Sequence, residues 1–150
     1  MTEEELVENF ERENITLASI SARTKAFVID EVLVSLLFVL AYWSQFSQSE
    51  DIEQTMIIMN SMVVYAVGIK IIYQSLFVWM YGATLGKMAV KIRVIYIYDL
   101  ANPGAFQSAL RSVVRVFSES FFYLGFIWAM LNPKRETWHD KVARTLVINA

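Results

Sequence analysis

Two adjacent carboxylates, Asp30 and Glu31, lie inside an apolar run from Ala26 to Trp43, with Arg23 just ahead of it. Roughly 20 residues of helix cross a bilayer core of about 30 Å, so the run is long enough to span. An acid at that depth costs about 3 kcal/mol on insertion scales, and groups held against such a cost either bind and move ions or pair with a countercharge. Arg23 and Asp30 are about two helical turns apart and share a face. They read either as an ion pair that anchors the helix at the interface or as a cation or proton site in the membrane.

Lys70 sits in a second apolar run, Thr55 to Tyr81. Counting about 1.5 Å per residue from the aromatic ends of both runs puts Lys70 and Asp30 within about 4 Å in depth. A lysine stem reaches that far, although a helical side chain leans toward its own N-terminus. Lys70 therefore reads as a buried packing pair or as part of a proton path. Adjacent helical residues point about 100° apart, so Asp30 and Glu31 cannot serve one face. Asp30 is expected to carry the function, with Glu31 snorkelling to the cytoplasmic interface and tolerant of replacement.

Further on, Ser108, Arg111, Ser112, Arg115, Ser118 and Glu119 recur at helical spacing as one polar stripe. Arg111 and Arg115 are one turn apart, and at least one is expected within salt-bridge reach of Asp30, Glu31 or Asp140, because a guanidinium grips a carboxylate with two parallel bonds. The competing reading is an interfacial helix facing lipid headgroups. His139, the single histidine, precedes Asp140. It titrates near neutral pH if exposed, or the pair caps and braces the local backbone.

These groups need elements to hold them. The spacing predicts membrane helices over 26–46 and 55–81, closed by Tyr42, Trp43, Trp79 and Tyr81 as interfacial aromatic belts. The loop Ser47 to Gln54 carries three acids and no Lys or Arg, whereas Arg23, Lys25, Lys87, Lys91 and Arg93 flank the other ends. The positive-inside rule then puts both termini in the cytoplasm. Residues 90–98 alternate and are β-branched, 99–104 form a turn, and 143–148 offer a second strand, so a small cytoplasmic ribbon is expected. Residues 105–131 read as a membrane-associated helix that dips without crossing, since a full crossing would carry Lys134, Arg135, Lys141 and Arg144 outside. The fold class is an all-α membrane protein with two transmembrane helices, a membrane-dipping or third helix and a two-stranded ribbon. Its single unit opens on an acidic segment, 1–20.

Composition bounds the function. The chain has 150 residues, 56% hydrophobic and 19% charged, with mean hydropathy +0.42. Absence of cysteine removes disulfides, thiolate metal sites and thiol nucleophiles. A net charge of −2 gives no basic surface for nucleic acid. The acidic start, Met1-Thr-Glu-Glu-Glu, is unlike a cleavable signal. Gly82-Ala-Thr84-Leu-Gly86-Lys87 is not a phosphate loop: three residues rather than four separate its glycines, and Met88 follows the lysine. No nucleophile–base set stands out, so no enzyme, cofactor or metal centre is expected.

Arg23-x-x-Ala26-x-x-Ile29-Asp30, then Gly82-x-Thr84-x-Gly86-Lys87 with Val94, then Arg111 and Arg115, then His139-Asp140-x-x-Ala143-x-Thr145-x-Val147 together resemble the RDD family of small bacterial membrane proteins. The likeness runs from about residue 18 to 148. It implies that Arg23, Asp30 and Asp140 are the arginine and two aspartates for which that family is named. Glu31, Lys70, Met88 and Ala89 depart from the pattern. The resemblance implies a multi-pass protein of the bacterial inner membrane and, by analogy, transport in the form of cation/proton exchange. Two such spans enclose no pathway alone, so transport implies an oligomer, with Asp30 exchanging a proton or monovalent cation and Arg23, Lys70 and Arg115 setting its pKa. The alternative is a non-transporting membrane adaptor or assembly protein, in contact with lipid and a protein partner, whose Arg–Asp pairs are structural. A transporter needs its carboxylate in a water-accessible cavity; an adaptor's is paired and dry.

Overall fold

The computed structural model describes residues 2–150. Two long helices form a hairpin: α2 (Ile20–Ala41) and α4 (Ile52–Tyr81), joined through the short α3 (Trp43–Ser47). Helix α2 begins six residues ahead of the expected span because Ser19 caps it, its hydroxyl accepting from the Ala22 N–H at 3.1 Å. It also stops at Ala41, earlier than expected, and Asp51 caps α4 through the Gln54 N–H at 2.8 Å. Ala26 packs with Val78, Asp30 meets Tyr73 and Glu31 meets Lys70, so the two helices run antiparallel. Helix α4 is long and apolar enough to cross a membrane. Helix α2 has 22 residues, but Arg23, Lys25, Asp30 and Glu31 break its apolar character.

At the shared end of the hairpin lies an antiparallel ribbon, β1 (Ile92–Tyr96) with β2 (Thr145–Asn149), in the register Val94 opposite Val147. Both strands fall within the expected segments to a residue. Both faces of the ribbon are covered, which is why Ile92, Val94, Ile95, Leu146, Val147 and Ile148 are all buried. One face packs on Ala18, Ala26 and Val78, and the other on Leu6, Phe10, Ile15 and Leu17. The acidic segment is thus more than a tail. Its helix α1 (Glu3–Arg12) starts with a capping box between Thr2 and Glu5 and turns Leu6 onto the ribbon.

Between the strands, the segment expected as one helix over 105–131 is two: α6 (Ala105–Ser120) and α7 (Leu124–Leu131), bent 101° apart. The break is made by Phe122 and Tyr123, both at positive φ (53° and 59°). Because β1 precedes α6 and β2 follows α7, the excursion leaves from the ribbon and returns to it. On the way back it passes through α8 (Trp138–Ala143). Helix α6 is inside out: Ser108, Arg111, Ser112, Arg115 and Ser118 are buried, while Phe106 and Phe117 are exposed. Arg111 and Arg115 therefore turn into the protein, and the headgroup-facing reading is overturned. The same inversion runs through the hairpin, with Asp30 1% and Val64 74% exposed. Large apolar patches on the outside suit a lipid surround or a partner surface.

Candidate functional site

Asp140 is the centre of the charged interior. It is fully buried, and its Oδ2 accepts from Arg23 Nη1 at 2.8 Å and from the Thr137 N–H at 3.1 Å. Its Oδ1 accepts from Arg111 Nη1, which also donates to Thr145 Oγ1 at 2.7 Å. The Thr137–Asp140 capping box of α8 also holds the carboxylate in place. Burial alone would raise this carboxyl, but Arg111 and then Arg23 hold it well below the ordinary carboxylate range. Arg23 therefore pairs with Asp140 and not with Asp30, as its spacing had suggested. Two turns are about 10 Å along the axis, and the Arg23 side chain leans toward the helix start, away from Asp30.

Asp30 does something different. Its Oδ2 accepts from Thr84 Oγ1 at 2.6 Å, and its Oδ1 from the Gly86 N–H and the Tyr73 hydroxyl, each at 2.9 Å. It thus seals the start of the short helix α5 (Leu85–Ala89), which Thr84 also caps. That explains the glycine spacing. Gly82 ends α4 in the left-handed conformation, φ 69°, and Gly86 lies so close to α2 that a Cβ would meet the Ala26 carbonyl and Asp30 Oδ1.

Glu31 belongs to a third group. Lys70 donates to Glu119, and its Nζ lies 2.6 Å from Glu31 Oε1. Arg115 Nε donates to Glu119 Oε1 at 3.1 Å, and its Nη2 stands 3.7 Å from Glu31. Lys70 therefore serves Glu31 and Glu119 rather than Asp30, whose oxygens Tyr73 already occupies one turn further along α4. Glu31 is therefore held by Lys70 on the neighbouring helix rather than reaching along α2, with a third of its side chain exposed. The expectation that an arginine of the stripe reaches an acid is met twice, by Arg111 with Asp140 and by Arg115 with Glu31.

Between α2, α6, α7 and α8 lies a cavity of about 240 Å³. Arg23, Lys87, Arg111 and Arg115 line it, and none of its lining residues is an acid. Burial, then Arg115 and Arg111, push the Lys87 ammonium down to about 7, against the pull of Asp30 and Asp140. His139 also lines it and is buried. Burial, partly opposed by Asp140 and reinforced by Arg111, holds the imidazole well below its ordinary pKa, so it is neutral at physiological pH.

The sign of the linkage follows. Below about pH 6.5 the unfolded chain protonates His139 and the native one does not, so stability falls with acid. The Asp140 contribution holds above the unfolded carboxylate value and is lost only as pH falls through its lower native pKa. Unfolding free energies at pH 7.5 and 5.5 should therefore differ by about 1 kcal/mol more in the native protein than in His139→Phe. Equal differences in the two would show that His139 is not held neutral.

The sequence named Arg23, Asp30, Glu31, Lys70, Arg111, Arg115, Glu119, Asp140 and the Gly82, Thr84, Gly86, Lys87 loop. They fall into three groups, spread from the ribbon to the middle of the hairpin, rather than around Asp30. Tyr73 and Thr137 are not among the residues so named, and Thr145 enters only through the family motif. A Thr-x-x-Asp capping signature marks Thr137; nothing local marks Tyr73, whose hydroxyl serves Asp30, 43 positions away. No curated protein and no solved structure matches the chain significantly. The family model for the RDD family matches residues 17–144, the stretch that holds all three charged groups and the glycine loop. The chain belongs to the RDD family, a membrane-associated family.

Proposed function

We propose that this protein is a multi-pass, non-transporting adaptor or assembly protein of the bacterial inner membrane, with both termini cytoplasmic and its Arg–Asp groups structural. The observation that carries this reading is the state of Asp30. Both its oxygens are taken by Thr84, Gly86 and Tyr73 at 1% exposure. Three donors on a dry carboxylate leave little of its coordinating capacity to a passing ion. The excursion through α6 and α7 begins and ends at the ribbon, which supports a dip rather than a crossing. The exposed apolar faces of α2, α4 and α6 supply surface for lipid, a partner or a second copy.

A second reading, cation/proton exchange in an oligomer, draws on a different carboxylate. A cavity of about 510 Å³ between α2 and α4 is lined by Glu31 and Lys70 as well as Ser35 and Thr55. Glu31 keeps a third of its side-chain surface exposed. Exchange, if present, runs through Glu31. In proteoliposomes carrying a pH gradient, the adaptor reading expects sodium and potassium fluxes equal to those of protein-free vesicles. Flux above that level which disappears in a folded Glu31→Gln variant would replace the adaptor with the exchanger.

A further inference from the structure

We propose that the cavity beside Arg23 and Arg115 is a binding site for a phosphate ester, with the phosphate at its cationic end and an apolar group at the other. The inference is independent of the adaptor reading. Two features carry it: guanidinium nitrogens without acceptors, and the shape of the lining.

Arg23 spends only Nη1 on Asp140. Its Nε and Nη2 are buried and have no hydrogen-bond partner. Those two nitrogens form one edge of the guanidinium, the edge that grips two oxygens of an oxyanion side by side. Arg115 is 5% exposed, and its Nη2 likewise has no hydrogen-bond partner, only the ion-pair approach of Glu31 at 3.7 Å. Among the described residues no carboxylate lies within 4.0 Å of the Lys87 ammonium, which lines the same cavity. A buried donor left unpaired costs about 1–3 kcal/mol, more when charged. Several of them around one space with no acid in its lining call for an anion. A carboxylate has two oxygens, which the Arg23 edge alone would use. Arg115 and Lys87 require more, which a phosphate supplies.

Much of the remaining lining is apolar, with Thr24, Thr137 and His139 among it. Phe27 and Phe126 stack on Arg115 at 5.1 and 5.9 Å, and Ile127 and Met130, both lining residues, are exposed on the outer side of α7. A liquid water occupies about 30 Å³, so about 240 Å³ holds a phosphate and several carbons besides. A phospholipid headgroup and a soluble organic phosphate share this chemistry.

The test separates the two sources. Full-length protein in a neutral maltoside detergent is titrated calorimetrically with inorganic phosphate. The same protein in phosphatidylcholine nanodiscs doped with phosphatidic acid is examined by native mass spectrometry for retained lipid. Phosphate binding indicates a soluble ligand; retention of one phosphatidic acid per chain without it indicates lipid. Either should weaken at least about tenfold in Lys87→Met and in Arg23→Lys, which keeps the charge but loses the gripping edge. Ile127→Trp, which fills the apolar end and touches no charge, should weaken phosphatidic acid while sparing inorganic phosphate, and it decides the matter if the charge variants do not fold. No binding in either arm, or binding that survives these substitutions, overturns the site.

Discussion

Asp140→Asn is expected to lower unfolding free energy by about 3–5 kcal/mol, because removing one partner of a buried ion group leaves uncompensated charge behind. Here two guanidinium groups lose their counterion at once. Arg111 is 5% exposed and Arg23 has 12% of its side-chain surface accessible, so neither can turn to water without moving a helix. Asparagine keeps the shape and one acceptor, which makes the loss electrostatic rather than one of packing. Chemical unfolding in detergent measures it. The exposed pair Arg12–Glu13, at 3.9 Å, is the control, and Glu13→Gln should cost under about 1 kcal/mol. An Asp140→Asn effect no larger than the control would mean that water or a ligand already shields the arginines.

Gly86→Ala should be nearly as damaging, at about 2–3 kcal/mol, since a Cβ there meets backbone as well as side chain. The Ala26 carbonyl cannot yield without shifting α2, and Asp30 Oδ1 would be pushed off the Gly86 N–H that it accepts from. Gly68 in α4 gives the opposite expectation. Nothing lies within 4 Å of a Cβ built there, and alanine in a helix interior gains about 0.5–1 kcal/mol over glycine. Gly68→Ala should therefore raise the unfolding midpoint while Gly86→Ala lowers it. A Gly86→Ala protein as stable as the parent would show that α5 does not rest on α2 at this distance.

The two experiments bear on different parts of the RDD pattern. Asp140 ties the start of α2 to α6 and α8, whereas Asp30 and the glycine loop tie α2 to α5. Together they hold one end of an otherwise loosely joined hairpin. Arg23, Asp30 and Asp140, which the resemblance matches to the family's arginine and two aspartates, thus belong to two bonded groups, and the departures Glu31 and Lys70 make up half of a third.

Sequence by itself marked the long helices, the ribbon and the identity of the charged residues. Apolar length drew α4, alternation drew β1 and β2, and helical spacing drew the polar stripe of α6, because each signal is local and periodic. It also placed an arginine of that stripe beside an acid. Only the tertiary structure decided the pairing. Arg23 and Asp30 share a face of α2, yet each is bonded to residues more than fifty positions away, Asp140 and Thr84 with Gly86. Their separation along one helix is fixed by its rise, and no side chain shortens it, whereas chain folding brings distant donors to within 3 Å. The bend between α6 and α7 was equally hidden. Residues 121 to 123 are apolar and aromatic, with no glycine or proline to mark a break. The left-handed pair Phe122–Tyr123 is imposed by the return to the ribbon, where β2 must meet β1.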